Sequence, residues 1–167
     1  LKSRSINSGQ SCNAAKRFIV QEGIAEKFTT ALHHAVASLK VGDPMLPDTD
    51  IGPLARPDLQ QKVLQQIQRT IDGGAEAKYG APSPTNGYYV SPVVLKGVKP
   101  GMCAFEEEIF GPVWSITTFS DIEEAIELAN KTQFGLGASI WTSNLALALK
   151  IAPKIEAGNV FINEIVK

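Results

Sequence analysis

The chain has 167 residues, of which 44% are hydrophobic, and this is enough for one domain with a sizeable core. Its net charge is −1 and no long run of either sign occurs, so neither nucleic acid nor an anionic membrane surface is expected as a partner. No apolar stretch approaches the ~20 residues that span a bilayer, and no signal peptide opens the sequence. The two cysteines, Cys12 and Cys103, suggest no disulfide framework and suit a reducing, cytoplasmic setting.

A small, polar segment at residues 7–12 delivers Cys12 just before a predicted strand at residues 16–20. Glycine lets the backbone approach a ligand closely, and the small neighbours leave room beside the sulfur. On such a turn a cysteine can act as a nucleophile, because backbone N–H groups can face both the thiolate and an oxyanion. The alternative is a small buried core residue, which is the commoner role of a lone cysteine.

Two amphipathic helices are predicted in the first half of the chain. The first starts near Ile24, and one face of it is apolar through Leu39. Its adjacent histidines, His33 and His34, point in different directions, so no metal site is predicted there. The second helix begins near Pro57 and ends at the glycine pair 73–74.

An acidic triplet at residues 106–108 lies between two predicted strands. The first strand-like run, residues 88–95, is interrupted at Pro92, which indicates an edge strand or an irregular pair of short strands. By itself the triplet is typical of a solvated helix end. Because Phe110, Gly111 and Pro112 follow at once, a ring and a tight turn stand beside a glutamate, which indicates the edge of a pocket.

The remaining elements alternate between strand and helix. A strand at 113–119 is followed by a helix that opens near Ser120, a strand at 138–142, a helix closed by Gly158 and a last strand at 159–163. This alternation predicts an α/β fold with an open, largely parallel sheet and helices on both faces. No repeat or linker divides the chain, so residues 1–167 are predicted to form one domain.

Two segments resemble motifs of the aldehyde dehydrogenase superfamily. Residues 7–12, Asn-Ser-Gly-Gln-Ser-Cys, resemble the family's Gly-Gln-x-Cys motif, and residues 107–113 resemble its Glu-Glu-x-Phe-Gly-Pro segment. They occur in the family's order and at about its separation. The similarity continues through residues 41–44, 52–54, 130–136 and 158–163, and therefore covers essentially the whole chain. Residues 6–20 look most like those of bacterial succinate-semialdehyde dehydrogenases.

The resemblance implies a chemistry and three site residues. Cys12 matches the nucleophile, which attacks an aldehyde to give a thiohemiacetal, passes hydride to NAD or NADP, and leaves a thioester for hydrolysis. The Cys12 backbone N–H matches one oxyanion donor. Glu108 matches the glutamate that contacts the nicotinamide ribose, and Phe110 the aromatic residue beside the nicotinamide. Succinate semialdehyde is the expected substrate, although Ile6 stands where some such enzymes have an arginine for the substrate carboxylate.

We expect this chain to be a fragment of a longer enzyme. It starts at Leu1 rather than Met, its last residues, Val166 and Lys167, follow a strand-like run without a structural stop signal, and no Gly-x-Gly-x-x-Gly occurs. By resemblance, the cofactor-binding domain, the general-base glutamate and the second oxyanion donor lie before Leu1, and the oligomerisation segment lies after Lys167. The full-length enzyme is expected to be a homo-oligomer, a dimer or tetramer, and the fragment alone is expected to be inactive.

Two other functions are compatible with the sequence. A related reductase would use the same cysteine in the reverse direction, on an acyl phosphate or acyl-CoA. A non-catalytic α/β interaction module would leave Cys12 inert.

Overall fold

A computed structural model describes residues 1–167 and contains six α-helices and six strands. The helices are α1 (Lys2–Ser5), α2 (Glu22–Ala37), α3 (Pro57–Asp72), α4 (Cys103–Glu106), α5 (Ile122–Asn130) and α6 (Leu145–Ile151). The strands are β1 (Arg17–Gln21), β2 (Glu76–Tyr79), β3 (Val93–Lys96), β4 (Val113–Phe119), β5 (Ala138–Ile140) and β6 (Val160–Ile162). Short 3₁₀ helices follow α1 (Ile6–Gly9) and α6 (Ala152–Lys154). None of the helices is both long enough and apolar enough to cross a bilayer.

The main sheet has four strands in the order β1-β4-β3-β2. The β1–β4 and β4–β3 pairs are parallel, and β2 adds an antiparallel edge. The prediction of a largely parallel α/β sheet is therefore confirmed. One feature differs, since β5 and β6 pair with each other in a separate two-stranded parallel sheet.

Two hydrophobic clusters cover the two faces of the main sheet. On one face, Val94 and Trp114 pack with the buried side of α2. On the other face, their neighbours Val93 and Val113 pack with α3 and α4. Successive side chains of a strand point to opposite faces, so apolar residues at consecutive positions of β3 and β4 fill both clusters.

Strand boundaries near the sheet edge differ from the sequence prediction. Strand β2 was not predicted, because its Glu-Ala-Lys-Tyr sequence has no strong apolar alternation; it forms by pairing with β3. The strand predicted at 88–95 forms only at Val93–Lys96, since Pro92 has no N–H to donate to a ladder. The Pro92 carbonyl instead accepts the Gly80 N–H at 2.7 Å. The prediction of an edge position was wrong, because β3 lies between β4 and β2.

The parallel pairing of β1 and β4 places the loops before these strands side by side. Arg17 is the partner of Ser115 in this ladder. The cysteine segment and the 107–113 segment therefore meet at the amino ends of the two strands. There Gly9, with a φ of +79°, packs so tightly on Gly111 that a Cβ at Gly9 would lie 2.1 Å from the Gly111 carbonyl oxygen.

Gly9→Ala should lower the free energy of unfolding by about 3 kcal/mol, because it adds a left-handed backbone penalty to a clash with main chain that cannot rotate away. Gly23→Ala is the matched control, since a Cβ there meets nothing within 4 Å and its φ is not positive. Chemical denaturation of the intact protein measures both. Equal stability of the two variants would contradict the close contact.

Candidate active site

Cys12 is exposed on the turn that follows the 3₁₀ helix Ile6–Gly9. Asn7, Ser8 and Gly9 have successive φ values of 48°, 57° and 79°, all in the left-handed region. For residues other than glycine this conformation costs about 1–2 kcal/mol each, so the surrounding structure must hold the turn in place. The exposure of Cys12 excludes the alternative that it is a buried core residue.

The segment at residues 52–55 holds this turn in place through hydrogen bonds to Ser8 and Gln10. The Ser8 hydroxyl both donates to the Gly52 carbonyl and accepts the Gly52 N–H, each at 3.0 Å. The Gln10 side chain accepts the Ala55 N–H at 2.9 Å and donates to the Asn7 carbonyl at 3.2 Å. These bonds give the polar residues of the cysteine segment a structural role. Sequence patterns gave no indication that residues 52–55 would lie here.

The three glutamates of the acidic triplet take three different directions. Glu106 accepts a backbone N–H from the turn before α4. Glu107 pairs with Arg69 of α3 at 2.8 Å. Glu108 pairs with Lys16 at 3.1 Å. The triplet is therefore more than a solvated helix end, and only Glu108 reaches the cysteine loop.

Lys16 joins the three predicted site residues. Its ammonium group donates to the carbonyl oxygens of Ser11 and Cys12, each at 2.8 Å. It also pairs with Glu108 and lies 5.0 Å from the centroid of the Phe110 ring. Burial lowers the pKa of Lys16, and the hydrogen bond to Glu108 opposes that shift. Sequence analysis placed this residue in a strand and did not identify its role.

Arg4 is a second cation that sequence analysis missed. It is fully buried, and its guanidinium donates to the carbonyl oxygens of Ile109 and, at 2.8 Å, of Val113. These two carbonyls flank the Phe-Gly-Pro turn, so Arg4 fixes that turn to α1. Burial lowers the pKa of Arg4 to about 10, while the charge of Glu108 raises it.

The other cysteine has a different environment. The Cys103 sulfur accepts a hydrogen bond from Arg69 at 3.1 Å and is partly buried at the start of α4. Burial raises the pKa of the Cys103 thiol, and the charge of Glu107 raises it further. Less thiolate is therefore present at neutral pH, and Cys103 is a poor nucleophile.

Iodoacetamide at neutral pH should alkylate Cys12 about tenfold faster than Cys103, because Cys12 is exposed while the raised pKa of Cys103 reduces its thiolate fraction. A time course followed by peptide mass spectrometry measures both rates. In denatured protein the two rates should converge. Faster labelling of Cys103 in the native protein would contradict this description of the two thiols.

The arrangement contains what a cysteine nucleophile requires. The Lys16 ammonium contacts the Cys12 carbonyl, the Glu108 carboxylate and the Phe110 ring, so these three residues lie together near the amino ends of β1 and β4, and the Cys12 thiol is exposed there. No acceptor within the chain takes the Cys12 backbone N–H, so this donor is available to an oxyanion beside the sulfur. No group of three or more His, Cys, Asp or Glu side chains lies close enough to hold a metal ion. This arrangement suits a thiol-dependent enzyme in which a carboxylate and a ring hold a second ligand.

Known proteins agree with this class. The model of the aldehyde dehydrogenase family matches residues 1–167. A probable succinate-semialdehyde dehydrogenase (NADP+) of Synechocystis is 48% identical over 162 residues, which are 96% of this chain and 36% of that protein. A succinate semialdehyde dehydrogenase (NAD(P)+) of Escherichia coli is 46% identical over 158 residues, 94% of this chain and 34% of that protein.

A solved structure shows the same fold. The succinic semialdehyde dehydrogenase of Streptococcus pyogenes, in complex with NADP+, superposes with a TM-score of 0.94 at 40% identity. The superposition covers 99% of this chain and 37% of that one. The chain thus belongs to the aldehyde dehydrogenase family, and it spans about a third of the length of the curated relatives that it matches.

Proposed function

We propose that this chain is the cysteine-bearing catalytic part of an NAD(P)-dependent aldehyde dehydrogenase, which oxidises an aldehyde to its carboxylic acid. The observation that carries the proposal is the meeting of Cys12, Glu108 and Phe110 around Lys16, in a chain of the aldehyde dehydrogenase family. Membership of the aldehyde dehydrogenase family argues against a non-catalytic interaction module.

Cys12 is the proposed nucleophile. Its thiolate attacks the carbonyl carbon of the aldehyde, and the oxygen that gains the negative charge lies near the free Cys12 N–H. The product is a thiohemiacetal on the Cys12 sulfur. Loss of hydride converts it to a thioester, and attack by water then releases the acid and regenerates the thiol.

Glu108 and Phe110 fit a nicotinamide cofactor. Only Oε1 of Glu108 is paired with Lys16, so Oε2 remains available to accept ribose hydroxyl groups, and about a third of the side chain is exposed. The Phe110 ring is partly buried beside it and offers a flat apolar surface. When bound, NAD or NADP would supply the hydride acceptor. The relatives named above are described as NADP+ or NAD(P)+ enzymes, which supports this assignment.

The proposed substrate is succinate semialdehyde, as the names of the relatives suggest. Neither cation near the cysteine is available to a substrate: Arg4 is fully buried, including its unpartnered Nη1, and Lys16 is engaged by Glu108 and the cysteine loop. With Ile6 apolar, the substrate carboxylate must be bound by residues outside this group. In the full-length enzyme, kcat/KM should be higher for succinate semialdehyde than for butanal, which lacks the carboxylate. Equal values would contradict succinate semialdehyde as the substrate.

The complete enzyme is proposed to be longer than this domain and to act as a homo-oligomer. The relatives are about three times as long, so a cofactor-binding domain lies in the rest of the protein in this proposal. Large apolar side chains around β5 and α6 are exposed, which supports contact with further protein: Phe134, Leu136, Trp141, Leu145 and Leu149. A cytoplasmic location suits the proposal because a nucleophilic thiol must remain reduced.

In the full-length protein, Cys12→Ala should lower kcat for aldehyde oxidation about 10⁴-fold, because the covalent intermediate cannot form. Cys103→Ala is the matched control and should retain activity. Reduced-cofactor absorbance measures turnover in both variants. Near-normal turnover of the Cys12 variant would refute the nucleophile assignment. If the unmodified enzyme reduced an acyl phosphate or acyl-CoA faster than it oxidised aldehydes, the related reductase would be favoured instead.

Glu108→Gln should raise the KM for NAD or NADP about tenfold, because an amide accepts weaker hydrogen bonds from hydroxyl groups than a carboxylate. The melting temperature should change little, since the side chain is partly exposed. Glu106→Gln is the control from the same triplet, as its carboxylate bonds only to backbone. A large drop in melting temperature with unchanged cofactor KM would show that Glu108 is structural.

A further inference from the structure

We propose that Lys16 is a positioning residue that orients both the oxyanion donor of Cys12 and the carboxylate of Glu108. The inference rests on the proposed function and extends it to a residue that the sequence motifs did not single out. Lys16 stands just before β1, so its side chain can reach back to its own loop and across to the loop before β4. It is the side chain that contacts all three proposed site residues.

The contacts of the Lys16 ammonium group show whether Lys16 positions other residues or binds a ligand itself. A lysine ammonium has three N–H donors. Here three acceptors lie within hydrogen-bonding distance: the carbonyl oxygens of Ser11 and Cys12, and Oε1 of Glu108. The side chain is only 18% exposed, and its cation also faces the Phe110 ring. No N–H donor remains for a substrate carboxylate, so Lys16 positions the cysteine loop and Glu108 and does not bind the substrate.

The bond to Ser11 fixes the direction of the Cys12 N–H. A trans peptide is planar, and its C=O and N–H point in opposite directions. The peptide between Ser11 and Cys12 is trans, as are all others in the chain. The Ser11 carbonyl accepts from the Lys16 ammonium at 2.8 Å and from the Ala14 N–H at 3.3 Å, so the Cys12 N–H points to the opposite side, where it has no partner in the chain. Lys16 makes the shorter, charged bond and thereby orients the Cys12 N–H toward the oxyanion.

The bond to Glu108 fixes the carboxylate in advance of cofactor binding. A free glutamate side chain loses rotamer freedom when it is immobilised, and that loss weakens binding. Lys16 holds one carboxylate oxygen at 3.1 Å and leaves the other for a ligand. The same cation rests against the Phe110 ring, so the two cofactor-facing residues are held by one group.

Lys16→Met in the full-length enzyme tests the proposal, because methionine keeps an apolar stem against Phe110 and removes the charge. We expect about a tenfold lower kcat, from the misdirected N–H, and about a tenfold higher KM for NADP, from the released Glu108. Lys16→Arg should restore most of both losses. Lys27→Met is the control, since Lys27 is exposed on α2 and makes no ion pair; it should leave both constants unchanged.

A double variant with Glu108→Gln separates the two effects. If Lys16 acts on the cofactor through Glu108, Lys16→Met should raise the KM for NADP far less in the Glu108→Gln background, while the loss in kcat persists. Fully additive effects on KM, or a Lys16→Met enzyme with unchanged kcat and KM, would overturn the proposal.

Hydrogen–deuterium exchange gives a readout that does not depend on turnover. Lys16→Met should increase exchange in residues 8–14 and 107–111, because the link between the two loops is lost. Unchanged exchange in both segments would overturn the role of Lys16 even if the chemistry is as proposed. Conversely, turnover that survives Cys12→Ala would refute the proposed function, while the exchange result would still decide whether Lys16 orders the loops.

Discussion

The close approach of Gly9 to Gly111 is the contact on which the candidate site depends. Two loops that are far apart in sequence meet there backbone to backbone, with no room for a Cβ at Gly9. A Cβ at Gly111 would in turn lie 2.9 Å from a Val63 methyl of α3. The turn that presents Cys12 therefore packs on Gly111, and Gly111 packs on the hydrophobic core. The position of the turn depends on how that core is packed.

Two cations secure this contact. Arg4 binds the carbonyls that flank the Phe-Gly-Pro turn, and Lys16 bridges the cysteine loop and Glu108. Removing a cation from water is costly, and burial lowers the pKa of both residues. Several charge-assisted hydrogen bonds offset that cost. Because these bonds go mostly to main-chain oxygens, the cations act as cross-links between loops.

The candidate site lies at the amino ends of β1 and β4, and a strained turn presents its cysteine there. Three successive left-handed residues expose the thiol and leave the Cys12 N–H without an internal acceptor. Ser8 and Gln10 hold this conformation through residues 52–55. Bonds from a third segment thus maintain the strained turn that carries the exposed thiol and the unpartnered N–H.

The sequence by itself determined the α/β class, the helices α2 and α3, and the segments that carry Cys12, Glu108 and Phe110, because local periodicity and short motifs encode such features. Only the tertiary structure decided that β2 forms, that β5 and β6 make a sheet of their own, and that Arg4, Lys16 and residues 52–55 hold the site. Each of these depends on a partner far away along the chain. A lysine before a strand has the same local pattern whether it faces solvent or, as Lys16 does, the glutamate of a distant loop.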